Sequence, residues 1–417
     1  MIAMPSASRH PAKPTAARFE AGLETRVTRG FAWALFGGLW AKLLVAVLLS
    51  QPTLDAEVDS IYNRAADLLL LGGLFAALLA YADDILRHSP RLLVVVILGL
   101  ASFLITEAFT GLKLQTAVFE YIKIVTPALL SLVLMQLYAR DAALVLQLCR
   151  VTLALVWCLV FFALAFLPPS LNRGGEKFWP VYFASLHTAS YLMVVCAALS
   201  LYLFEAGQLG RRLLIGLVAC SCVLIFYGWG VRTSMVAALA FGLVYLGQRS
   251  RLLPLAVLML VAFGLALALV PLLLGIVHLP TWEEMVEVSS GRVSMWLQKA
   301  AILADSNLAE WLFGHGEGSD WIVSEVWWWS AKDSHNDFIR LLNQQGLVGL
   351  GLVLAMLVIW AGVFPPGVAA PLLAALAAST AFSNGIMFRP QASLVMPLAL
   401  VAATAAWQHR TARGASL

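Results

Sequence analysis

Apolar stretches of roughly 17–25 residues, the length a helix needs to cross the hydrocarbon core of a bilayer, recur along this 417-residue chain. They centre near Leu39, Leu74, Leu100, Pro127, Phe161, Met193, Val218, Ala240, Leu265, Val353, Leu376 and Leu398. The third, fourth and eighth are the least regular. Composition agrees: 61% of residues are hydrophobic and 12% charged, against roughly 45–50% and 25% in soluble domains. A soluble fold of this size cannot hide so much apolar surface, whereas lipid accepts it. The prediction is an all-α integral membrane protein of about twelve transmembrane helices with one large loop. A basic tail covers 1–30, nine spans 31–277, the loop 278–334, three spans 335–407 and a short tail 408–417.

Basic residues set the orientation. With the N-terminus in the cytoplasm, the tail carries Arg9, Lys13, Arg18, Arg26 and Arg29, and the cytoplasmic side collects fifteen Lys and Arg in total. The short outer loops carry six, Arg64, Lys113, Arg173, Lys177, Arg232 and Arg389, and the long loop adds Arg292, Lys299 and Lys332. Both termini are therefore expected inside and the long loop outside. The first thirty residues show no small-residue cleavage site, so the first span is expected to be a retained anchor. Cys149, Cys158, Cys196, Cys220 and Cys222 fall in or beside spans with no metal spacing, and read as packing residues.

The long loop, His278 to Ser334, is 57 residues and holds seven of the fourteen tryptophans. That length is more than a passive connector needs. Ser290-Gly291 precedes a helical pattern with Val293, Trp296, Leu297, Ala300 and Leu303 on one face, followed by a Gly-rich stretch, 313–319, and the triplet Trp327-Trp328-Trp329. Such a loop can fold over the outer face as a lid. Its tryptophans suit interfacial anchoring or stacking on sugar rings.

The richest segment is Ser334-His335-Asn336-Asp337-Phe338-Ile339-Arg340. Ser334 and Asp337 have capping-box spacing, which places His335 in the first turn of the tenth span. From His335 to Ala361 that helix would run about 40 Å, longer than the apolar core, so its first turns must reach the interface or a cavity. Helix-start N–H groups attract phosphate and favour a neutral imidazole. Arg232, which opens the eighth span, and Arg292, which opens the loop helix, suit bidentate binding of a diphosphate. The plain alternatives are a polar cap for His335 and headgroup contacts for the arginines. Asn336, Asp337, Arg340, Lys332 and His315 are candidates for supporting roles. Within spans, Glu120 and Lys123 stand one turn apart and can pair, whereas Lys42 lacks a partner in its own helix and is a candidate for an anionic ligand.

His335-Asn336, nine residues, then Gly346-Leu347-Val348-Gly349 resembles the motif of the O-antigen ligase family, within the wider O-antigen ligase and polymerase superfamily. The topology is similar over essentially the whole chain. Arg232 and Arg292 stand where the family has arginines, although Gly-Val-Arg-Thr-Ser around Arg232 departs from the usual Gly-Ser-Arg-Gly. The resemblance implies a GT-C-like glycosyltransferase architecture in the bacterial inner membrane, with the large loop and active site periplasmic. It implies transfer of O-antigen polysaccharide from undecaprenyl diphosphate to lipid A–core, with inversion and without metal or other cofactor. His335 would be the general base, and Arg232 and Arg292 would hold the diphosphate. Partners would be these two lipid-linked glycans and the surrounding lipids, not nucleic acid. The outer loops lack an Asp-x-Asp pair of the kind that holds a divalent cation. An O-antigen polymerase using the same donor, or a polyprenyl-glycan transporter without covalent chemistry, are the competing readings.

Overall fold

The computed structural model describes residues 14–49, 61–111, 113–167, 185–250, 281–288, 291–324 and 331–414. These form an all-α protein in which strand pairing amounts to an isolated bridge between Ile322 and Lys332. Among the described residues, nine helices are long and apolar enough to cross a membrane. They are α1 (Pro14–Leu48, its apolar part from Arg26), α2 (Ile61–Ala80), α4 (Pro90–Thr110), α5 (Leu114–Arg140), α6 (Ala142–Phe166), α7 (Leu186–Glu205), α8 (Arg211–Val223, extended by a π turn to Gly228), α13 (Asp337–Ala361) and α15 (Pro390–Gly414). Shorter elements are α3 (Ala82–His88), α9 (Arg232–Gly247), α10 (Trp282–Val288), α11 (Arg292–Ala304), α12 (Leu308–Phe313) and α14 (Ala370–Phe382).

Eleven of the twelve expected span centres fall within these apolar helices; the twelfth, Leu265, lies outside the described residues. Two spans are shorter than expected, α9 and α14. The reason is local: at one end of the bundle the chain leaves both helices for non-α backbone, 229–231 before α9 and 383–389 after α14.

Helix α15 is the axis, almost wholly buried along its apolar length. It packs along α7, and α9 packs along α14. Both helices bury many small residues, including Ala189, Ser190 and Ala198 on α7 and Ala392, Ala399, Ala402 and Ala406 on α15. Such residues allow the close backbone approach that drives helix association in lipid. Two of the five cysteines, Cys149 on α6 and Cys196 on α7, are buried as packing residues, while Cys158, Cys220 and Cys222 are exposed on their helices.

Charge sits mainly at the two ends. At one end Arg29 pairs with Asp141 (3.2 Å) and Arg140 with Asp84 (2.5 Å). Glu205 there gathers Arg249, Arg410 (2.5 Å) and the Tyr245 hydroxyl (2.6 Å), tying together the ends of α7, α9 and α15. The opposite end holds the starts of α7, α9, α13 and α15 and the end of α14. Between them, Lys42 is not available for an anionic ligand, contrary to expectation: it is buried and pairs at 2.7 Å with Asp67 on α2. The partner lay on the neighbouring helix, where same-helix spacing cannot reveal it.

Candidate active site

Helix α13 begins differently from the capping-box reading. Its N-cap is Asn336, whose side-chain oxygen accepts the N–H groups of Phe338 (3.0 Å) and Ile339 (3.1 Å). Ser334 instead turns its hydroxyl onto the Asn336 carbonyl at 2.9 Å. Asn and Ser cap equally well, and Asn336 wins because its amide also donates to the Ala381 carbonyl at the end of α14 (2.7 Å). His335 therefore lies before the helix, not in its first turn.

That displacement gives His335 an unusual backbone. Its φ is +46°, the only positive value at a non-glycine among the described residues. Such conformations cost on the order of 1–3 kcal/mol and persist where surrounding contacts over-determine them. The side chain meets Asp333, with Nδ1 3.2 Å from Oδ1. The other carboxylate oxygen accepts from Asn384 Nδ2 at 2.6 Å. With Nδ1–H turned toward that carboxylate, which can only accept, Nε2 would be the basic nitrogen. Burial pushes His335 below its ordinary pKa, and the Arg292, Arg389 and Lys332 charges push the same way, against the pull of Asp333. Burial would raise Asp333, but the charges of His335, Arg340 and Arg389 and the Asn384 hydrogen bond hold it below its ordinary value.

Arg292 and Arg389 lie within electrostatic reach of this pair, and Arg232 within reach of Arg292. Arg292, the first residue of α11, donates to the Phe382 carbonyl at 2.9 Å and lies within electrostatic reach of Arg232 and Asp333. Arg232, the first residue of α9, is exposed. Arg389 makes long contacts of 3.4 Å to the Asn384 carbonyl and the Ser185 hydroxyl. None of the three is ion-paired to a carboxylate among the described residues. Cations that outnumber the nearby Asp333 carboxylate leave an excess of positive potential, which suits an anion. His187, near the start of α7, is within reach of His335, Arg292, Arg389 and Asp333.

The structure thus brings together His335, Arg292, Arg232 and Lys332. The other expected supporting residues do different work. Asn336 is the cap. Asp337 is buried and accepts the Gly385 N–H at 2.7 Å, fixing the α14–α15 turn. Arg340 is committed to Glu120 (3.2 Å), Glu317 (3.4 Å) and Gln344 (3.2 Å), with Glu120 also paired to Lys123 as expected. His315 contacts Ser306 and the Asn343 carbonyl and holds the loop to α13. Sequence reasoning missed Asp333, Asn384, Arg389 and His187. Asp333 had a usable signal, a carboxylate two residues from a candidate base.

The glycines also acquire a reason. Gly346 breaks α13 with φ +65° and ψ −169°, and Gly314 in the loop adopts φ +79° and ψ −172°. Both values lie in a region essentially reserved for glycine. The two stretches of backbone are pressed together: a Cβ on Gly346 would sit 2.4 Å from the Leu312 carbonyl carbon, and one on Gly314 would sit 2.4 Å from that of Gln344. The Asn343 and Gln344 carbonyls accept from the N–H groups of His315 (2.9 Å) and Gly316 (3.0 Å). Helix α4 holds the same loop from its other side, through Thr106 to the Phe313 carbonyl (2.6 Å) and Glu107 to the Glu317 N–H (2.7 Å). The excess length expected of the tenth span is resolved by this break, which separates a polar first half from an apolar second.

No protein-family model and no curated protein matches the sequence.

Proposed function

We propose that the chain is a polyprenyl-diphosphate-dependent glycosyltransferase of the O-antigen ligase type, working at the periplasmic face of a bacterial inner membrane with twelve spans. The observation that carries the proposal is the His335–Asp333 pair beside Arg292 and Arg389, with Arg232 next to Arg292, none of the three ion-paired to a carboxylate among the described residues. The acceptor hydroxyl on lipid A–core gives its proton to His335 Nε2 as its oxygen forms the new bond to the anomeric carbon. The bond from that carbon to the undecaprenyl diphosphate breaks on the opposite face. The diphosphate leaves with the electron pair, and Arg232, Arg292 and Arg389 neutralise it. Attack opposite to departure inverts the configuration.

A transporter is the reading of a different class, and the break in α13 speaks for it, since broken helices often build transport sites. Here, however, the Asn343 and Gln344 carbonyls are taken by loop N–H groups. That favours a scaffold over an ion site. Deleting the gene and resolving the lipopolysaccharide on a gel separates the readings. A ligase mutant loses the polymer ladder while polymer accumulates on its lipid carrier. A polymerase mutant retains single-repeat lipopolysaccharide, and either that outcome or an unchanged ladder overturns the proposal.

Two further results are expected. Arg292→Ala and Arg389→Ala each lower transfer by at least tenfold, on the scale of one lost charged hydrogen bond. Arg→Lys recovers little, because a point charge replaces a planar fork. Steady-state rates in proteoliposomes measure this, and wild-type rates in both Ala variants remove the arginines from the site. Transfer is also expected to persist in excess EDTA. Loss restored by magnesium or manganese contradicts leaving-group neutralisation by arginine alone.

A further inference from the structure

We propose that Trp296, Lys299 and Asp320 form a clamp on Ser334 that holds His335 in its left-handed conformation, which makes them positioning residues for the base; the inference rests on the glycosyltransferase reading for its kinetic part only. The sequence pattern of α11 puts Leu297 and Ala300 on the buried face together with Val293 and Leu303. The structure instead exposes Leu297 and Ala300 and buries Met295, Lys299 and Leu303. A lysine displaces a leucine from the interior, and a fully buried charge needs a partner.

The partner is Asp320, itself fully buried, 3.0 Å from Lys299 Nζ, which also donates to the Asp320 carbonyl. The second oxygen of Asp320 accepts the Ser334 N–H at 2.8 Å. One turn earlier on α11, Trp296 Nε1 donates to the Ser334 carbonyl at 2.7 Å. The peptides on both sides of Ser334 are therefore fixed from a single helix face. On the far side of His335 the chain is fixed again, by the Asn336 cap. A residue between two immobilised peptides has no freedom to relax its φ, which is how an over-determined conformation persists. Arg292 opens the same helix, one turn before Trp296. One rigid element thus sets both the base and a diphosphate-binding cation, as precise placement of a catalytic group requires.

The test uses the full chain in proteoliposomes, with Trp296→Phe as the main variant because it keeps the ring and removes the N–H. Asp320→Asn is the second. Two quantities are measured: transfer kinetics, and the rate at which diethyl pyrocarbonate modifies His335, followed by mass spectrometry of its peptide. For Trp296→Phe the expected results are a kcat lower by roughly tenfold, the scale of one hydrogen bond, an unchanged KM for the lipid-linked donor, and His335 modified several-fold faster. An unchanged modification rate in both variants overturns the clamp. Faster modification with unchanged kcat overturns its positioning role. The modification arm needs no transfer activity, so failure of the glycosyltransferase reading and failure of the clamp are distinguishable.

Discussion

His335→Gln is expected to lower glycosyl transfer by about 10²–10⁴, the usual cost of losing a general base, with normal expression and membrane insertion. Gln keeps polarity and hydrogen bonding but cannot take a proton near neutral pH. The residue lies before α13 and its side chain is partly exposed, so the bundle does not depend on it. Relief of the positive φ is open to either side chain and separates nothing. The pH profile does. The base works deprotonated, so the rate climbs with pH through the pKa of His335. Burial and the neighbouring arginines hold that pKa below the ordinary imidazole value, so the ascending limb lies on the acid side of it. Asp333→Asn removes a charge that raises it and moves the limb further toward acid. Near-wild-type transfer by His335→Gln removes the base assignment.

Gly346→Ala is expected to be strongly damaging despite its small size. It forces alanine into a glycine-only conformation and drives a Cβ to 2.4 Å from the Leu312 backbone. Strain and overpacking together cost roughly 2–6 kcal/mol. Either the loop lifts away from α13 or the helix rewinds, and both dismantle the support of Ser334 and His335. Faster proteolysis within 291–324, a lower melting temperature and lost transfer are the measurements. Gly351→Ala on the same helix is the control, since a Cβ there meets nothing within 4 Å. A Gly346→Ala protein as stable and active as Gly351→Ala contradicts the interlock.

Much of the architecture was legible in the sequence because lipid imposes a length rule, and spans such as α6 and α15 obey it with few exceptions. The site was half legible. His335, Arg232 and Arg292 stood out because charged or titratable groups beside spans are uncommon. Asn384 and Arg389 did not, because they sit about fifty residues beyond His335 and reach it only when the α14–α15 turn folds back on the start of α13. The choice between Ser334 and Asn336 as cap depended on the Ala381 carbonyl, a tertiary contact. The inward turn of Lys299 broke the apolar pattern of α11 because Asp320 is twenty-one residues further along the chain. In each case the deciding partner was remote in sequence.

The long reach of the loop's anchors bears on how the protein is made. Glu107 and Glu120 meet Glu317 and Arg340 across separations of 210 and 220 residues. At about 5–20 residues per second, synthesis leaves those carboxylates waiting on the order of ten to forty seconds. Glu120 has Lys123 beside it throughout, so it enters the bilayer as half of a neutral pair. Glu107 has no such companion on its own helix and relies at first on the backbone N–H of Lys113. A nascent chain stalled before α13 would be inserted but unfinished, with the cradle for the loop open to the solvent. Quality control that recognises exposed intramembrane charge would then act on this protein chiefly through α4, late in translation, and not through the helices that carry the chemistry.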